Sequence, residues 1–125
     1  MSNINELLEE TLNLDGALLA ALGDWKTGMC LASVGTDNPR FPLKNAELAV
    51  AGNTQVIRTK LKVAASLGMK EKIDDILITL ETQYHLMSIT HSFEGLFFYL
   101  ALDRDKGNLA LARMKLRTLE PKLVI

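Results

Sequence analysis

Cysteine is nearly absent: Cys30 is the only one in 125 residues. No internal disulfide can form, and a lone thiol suits a reducing compartment. Proline is scarce at three residues, and aromatic side chains make up 6% of the chain with a single tryptophan, Trp25. No apolar run approaches the ~18–20 residues that would span a bilayer. The opening stretch Met1-Ser2-Asn3-Ile4-Asn5-Glu6 has neither the positive charge nor the apolar segment of a secretory signal. Neither sign of charge dominates: 14 basic residues face 15 acidic ones, for a net charge of −1. That balance excludes a protein held to nucleic acid by a concentrated basic surface. These absences predict a cytoplasmic protein with no nucleic-acid partner and no membrane insertion.

What is present is an ordinary globular balance, 48% hydrophobic and 23% charged. Residues 1–125 are expected to form one domain, burying roughly two-thirds of the unfolded surface. Ile4, Leu7, Leu8, Thr11 and Leu12 recur at helical spacing, with Asn3 placed to cap, Glu6 to complete a capping box, and Asp15-Gly16 to stop the helix. Residues 17–22 are too few between two glycines for a stable helix and read as a strand. The turn 23–28 then leads to a return strand over 29–34. A loop with Pro39 and Pro42 precedes a long helix over about 44–67, ended by Gly68. Three strands follow, near 76–80, 84–90 and 96–102, the last apolar on both parities and therefore central. Asn108 caps a final helix burying Leu109, Ala112, Leu116 and Leu119, with Arg113, Lys115 and Arg117 outward and Pro121 at its end. The order α-β-β-α-β-β-β-α predicts an α+β fold, a five-stranded antiparallel sheet flanked by helices.

Chemistry-bearing constellations are missing. His85 and His91 lie six residues apart along one strand, about 20 Å at ~3.3 Å per residue, too far to share an ion. One is expected near the core and one exposed, and no metal or cofactor is predicted. Cys30 sits among Met29, Leu31 and Val34, the setting of an inert thiol. Asp74-Asp75 and Asp103/Asp105 fall at element edges, where carboxylates hold turns and caps. The chain contains no nucleophile elbow, phosphate loop or dinucleotide fingerprint. No catalytic residue is assigned.

Two features remain. Trp25 lies in a polar turn, either folded back over the sheet or held out as an anchor for a partner. On the long helix, Ala46, Ala49, Val50, Val56, Ile57, Leu61, Val63, Ala64 and Leu67 share an arc of about 160°, wider than the ~100° stripe one core face needs. A helix so patterned serves the sheet beneath it and a second surface beside it. Lys60 falls within that arc, its stem able to pack while its ammonium reaches water.

The pattern resembles the Roadblock/dynein light chain family. The likeness is carried by Leu14-Asp15-Gly16-Ala17-Leu18-Leu19 with Met29-Cys30-Leu31-Ala32-Ser33, by the Ala-rich helix ending at Leu67-Gly68, and by Leu100-Ala101-Leu102-Asp103-Arg104-Asp105 leading into Asn108-Leu109-Ala110-Leu111-Ala112-Arg113. It covers about residues 3–120 and departs at the bulkier turn Asp24-Trp25-Lys26-Thr27. The resemblance implies a profilin-like fold and a homodimer, or a heterodimer with another such chain. Long helices would lie side by side and edge strands would join two sheets. Ala49, Val56, Val63 and Leu67 then fall at the helix seam, and Ile76, Ile78 and Leu80 on the pairing edge. The resemblance further implies a regulator or scaffold of a small Ras-like GTPase, with no catalytic residues of its own and no arginine finger even where it accelerates GTP hydrolysis. The GTPase is expected on the outer helix face, at Leu48, Gly52, Gln55, Thr59, Lys62 and Ser66, flanked by Arg58. Two other readings compete: an adaptor subunit without a GTPase partner, and a small-molecule sensor, which requires a cavity with converging polar groups.

Overall fold

Runs of six or seven apolar side chains on both parities can be satisfied only where both faces of a strand are covered. The computed structural model, which describes residues 2–125, puts two such runs side by side in the middle of one sheet. The elements are α1 (Ile4–Leu12), β1 (Ala17–Asp24), β2 (Cys30–Gly35), α2 (Ala46–Ser66), β3 (Asp75–Thr79), β4 (Gln83–Ile89), β5 (Leu96–Asp103) and α3 (Leu109–Leu119). The sheet order is β2-β1-β5-β4-β3, antiparallel throughout. Leu100 of β5 stands between Ala20 of β1 and Leu86 of β4, which fixes the central register.

Alternation along β5 divides the interior in two. Phe98, Leu100 and Leu102 face Leu7 and Leu8 of α1 and Leu116 and Leu119 of α3. Phe97, Tyr99 and Ala101 face Val50 and Ile57 of α2. Each fully buried large side chain contributes about 1.5–3 kcal/mol relative to exposure. The fold is the expected α+β arrangement in the expected order.

Several local expectations need correction. β1 runs on through Gly23 and Asp24, because Gly23 lacks a side chain where the Phe97 ring and Val50 press in: a Cβ there would come within 2.6 Å of the ring. The turn therefore begins at Asp24, whose carboxylate accepts the Lys26 backbone N–H at 2.8 Å. A 3-10 turn, Leu43–Asn45, precedes α2. Asn3 stands at the N-cap of α1 but makes no capping bond. Its side chain instead donates to the Lys122 carbonyl at 2.6 Å and accepts the Val124 N–H at 2.8 Å, joining α1 to the segment after α3. Asn108 does cap α3, accepting from Leu111 N–H at 3.0 Å. Arg113 and Lys115 are not simply solvated. Arg113 grips Asp75 of β3 through Nε and Nη2 at 3.0 and 3.1 Å, and Lys115 pairs with Glu10 of α1 at 3.1 Å. Residues 67–74 link α2 to β3 without helix or strand and are exposed except for the half-buried Ile73.

Two glycines in left-handed backbone separate the cost of conformation from that of contact. Gly16 has φ +82°, and a Cβ there would lie 2.7 Å from the Gly107 nitrogen; Gly28 has φ +84° with nothing within 4 Å. Gly28→Ala is expected to cost about 1 kcal/mol from conformation alone. Gly16→Ala must also push two turns apart and is expected to cost about 2–3 kcal/mol. Urea denaturation with unchanged slope measures both, and equal losses would refute the tight Gly16–Gly107 contact.

Candidate functional site

The long helix is closed at its C-terminus by backbone chemistry. Gly68, at φ +71°, donates to Ala65 O, and Met69 donates to Ala64 O, both at 3.0 Å, the bond pair of a Schellman motif. Ala46, Val50, Thr54 and Ile57 are buried against the sheet at the i, i+4, i+8, i+11 spacing of one face. Ala49, Leu61 and Ala64 are half-buried beside them. The apolar arc expected from the sequence is thus split. Val56, Val63 and Leu67 stay exposed, Leu67 at 69%, although they adjoin the buried face. With Gln55, Thr59 and Lys60, Val56 and Val63 line a groove of about 480 Å³. Lys60 itself is exposed at its edge.

The remaining side of α2 presents Leu48, Gly52, Arg58, Lys62 and Ser66, all exposed, and meets the groove at Gln55 and Thr59, which border both. Leu48 is 78% exposed, and a Cβ at Gly52 would meet nothing within 4 Å. A large apolar side chain next to a bare backbone leaves room for close approach of another surface.

β3 is an outer strand, bonded only to β4. Ile76 and Ile78 are half-buried against the α2-side core, and Leu80 is exposed one residue past the strand. The strand contains neither lysine nor proline, the residues that usually blunt an edge. Both of its ends are held. Asp75 is gripped by Arg113, and at the far end Arg104 donates to Leu80 O at 2.9 Å while lying 5.3 Å above the Tyr84 ring. Arg40 adds a bond to Thr82 O at 2.8 Å and an ion pair with Asp103. The Arg40 guanidinium holds the Asp103 carboxyl below its ordinary range. None of the three arginines carries a local pattern signal, since the partners lie distant in the chain.

Beneath α2 lies a small polar cluster. His85 Nδ1 is 3.0 Å from the Tyr99 hydroxyl and Nε2 is 2.8 Å from Gln83 Oε1, with Phe41 edge-on to the imidazole at 5.1 Å. Burial lowers the pKa of His85 and pushes the Tyr99 phenol up. His91 is exposed and reaches Asp74 at 2.9 Å, so the two histidines serve separate places. Cys30 is half-buried, burial raises its pKa, and its Sγ points to Ala32 O at 3.4 Å; it has the character of a protonated, unactivated thiol. Trp25 is half-buried against the α2-side core, and its indole nitrogen is buried without a partner among the described residues. Among the described residues no three His, Cys, Asp or Glu side chains converge to hold a metal, and no helix is long and apolar enough to cross a membrane.

No family model and no curated protein matches the sequence. Solved structures do match the fold over nearly the whole chain. A Roadblock/LC7 domain from Streptomyces avermitilis aligns at TM-score 0.76 and 13% identity, covering 97% of this chain and 98% of that one. An MglB with a tetrameric arrangement aligns at 0.81 and 21%, covering 97% and 85%. The gliding protein MglB from Thermus thermophilus aligns at 0.66 and 25%, covering 96% and 90%.

His85 gives a pH signature. Its neutral form is favoured in the folded state, so its contribution is complete above its ordinary value of 6.5 and is lost as pH falls through the lower folded value. The stability advantage of the wild type over His85→Phe should therefore shrink as pH drops below 6.5. Thermal melts of both proteins across that range test this, and a constant gap would refute it.

Proposed function

From a chain with the Roadblock/LC7 fold, we propose a dimeric, non-enzymatic regulator or scaffold that docks a small Ras-like GTPase. The observation that carries the reading is the division of α2. Its buried face is complete without Val56, Val63 and Leu67, and the same helix holds a second, small-residue surface around Gly52. One helix with two unpartnered surfaces supports two contacts, one to a second copy and one to another protein. The sequence motifs that resemble the Roadblock family support the GTPase as that other protein. The likeness to MglB structures supports it at the level of fold.

In this reading the dimer forms about a two-fold axis, with Ala49, Val56, Val63 and Leu67 meeting their copies and the edges at Ile76, Ile78 and Leu80 pairing into one sheet. Backbone pairing occupies an edge that is otherwise apolar and unguarded. Residues 1–125 act as one cytoplasmic domain. The GTPase rests on Leu48, Gly52, Gln55, Thr59, Lys62 and Ser66, with Arg58 at the border. The chain supplies surface rather than reacting groups, so any faster hydrolysis comes from holding the GTPase's own residues in a productive geometry.

Two sets of substitutions separate the contacts. Ile78→Lys and Val56→Glu are each expected to halve the molar mass seen by light scattering at micromolar concentration. Val56 is exposed in the single chain, so its substitution spares the fold. Persistence of the dimer in both would overturn the seam.

Leu48→Arg and Gly52→Arg should keep the dimer and abolish capture of a Ras-like GTPase from native lysate in the presence of a non-hydrolysable GTP analogue. Capture in the wild type that does not differ between the analogue and GDP, or that survives both substitutions, would overturn the docking face.

A further inference from the structure

The outer face of α2 carries a charge pattern that its own fold does not use. From Leu48 through Lys70 the chain has four basic residues, Arg58, Lys60, Lys62 and Lys70, and no acidic one. All four are exposed, and none makes an ion pair among the described residues. Arg58 and Lys62 stand one turn apart on the same flank of the helix, a spacing at which like charges repel. A carboxylate three or four residues away would relieve them, but those positions hold Thr54, Gln55, Thr59, Leu61, Ala65 and Ser66.

The elements beneath α2 supply no free carboxylate either. The helix packs on β1 and β2, behind the 3-10 turn. β2 and that turn contain no acidic residue, and Asp24 of β1 accepts the backbone N–H groups of Lys26 and Thr27. Glu47 lies in the first turn of α2, about 16 Å along the axis from Arg58 at 1.5 Å per residue. Glu71, in the connector, stands between Lys70 and Lys72.

We infer, resting on the GTPase reading of this face, that Arg58 and Lys62 form a docking pair for a carboxylate-bearing patch on the GTPase. A like-charge pair with no local relief costs the single chain stability, and the partner's carboxylates remove that cost in the complex. Arg58 is able to grip a carboxylate bidentately, and Lys62 adds a point charge one turn on. The neutral strip of Leu48, Gly52 and Thr59 borders the pair, so a neutral centre meets a charged margin. In that arrangement the margin sets the rate of arrival and the centre the time of residence. The spacing also describes the partner: its acidic patch lies about 9–21 Å along the helix axis from the surface that meets Gly52 and Leu48. A second copy of this chain offers Glu6 and Glu9 of α1, both exposed, but a head-to-tail contact of α1 on α2 does not close. A flat anionic lipid surface is a poorer match. At ~100° per residue Lys60 falls on the opposite flank, beside the groove of Val56 and Val63, which leaves too few cations facing one plane.

The decisive variant is Arg58→Glu, which puts a carboxylate four residues before Lys62, the favourable order for such a pair. It should raise the melting temperature by about 1–3 °C. The GTPase it retains from native lysate with the non-hydrolysable GTP analogue should fall about tenfold at about 50 mM salt. At about 500 mM salt the wild type should itself retain less, and the gap should narrow to about twofold. Lys106→Glu, exposed in the turn before α3, changes the net charge equally and should leave capture intact. A wild type that retains no GTPase would overturn the docking reading and this inference with it. Capture by the wild type that is indifferent to salt and to Arg58→Glu, or that is lost equally in Lys106→Glu, would overturn the inference alone. So would a lower melting temperature in Arg58→Glu, salt-reversible growth of the wild type beyond a dimer, or recruitment to phosphatidylserine vesicles that Arg58→Glu abolishes.

Discussion

The structure depends on β5 being covered on both faces at once. Its side chains alternate between two cores, and its backbone is paired on both edges, to β1 and to β4. A polar group placed on this strand has no water to reach, and removal of a large side chain loosens a layer that holds helices in place. Everything functional hangs from it indirectly: α2 is oriented by Phe97 and Tyr99, α3 by Leu100 and Leu102. Both candidate surfaces of α2 therefore belong to a helix whose inner face is anchored to that strand.

Legibility followed the range of the interaction. The run Leu96-Phe97-Phe98-Tyr99-Leu100-Ala101-Leu102 named its own position because burial on both parities leaves no polar residues. The Asn108 cap and the Gly68 stop were legible because they act within a few residues. Asn3 looked like the same kind of cap, yet its amide went to a segment on the far side of the sequence. The grip of Arg113 on Asp75 spans 38 residues, and nothing in the local pattern distinguishes it from a solvated arginine. Thr54 stands four residues after Val50 and three before Ile57, so helical periodicity places it on the buried face although its hydroxyl is polar.

The breadth of the α2 arc was legible, and its division was not. Helical spacing places Val56 and Val63 close to Ile57, but only the curvature and width of the sheet decide where the buried face ends. The same reasoning applies to α3. Leu111 and Met114 fall outside the stripe that α3 buries, and both are exposed because α1 and the sheet occupy the inward face.

The connector over residues 67–74 separates chain continuity from structural integrity. It contains Lys70, Glu71 and Lys72 in exposed, irregular backbone, while each of the elements it joins is secured independently. α2 is closed by its own Schellman bonds, and β3 is tied to β4 and to Arg113. A protease nick between Lys70 and Lys72 would break the polypeptide where it bears little tension, and the two fragments would remain associated through their shared core. The peptide link there sets the order of the elements along the chain; their arrangement in space is maintained by other bonds.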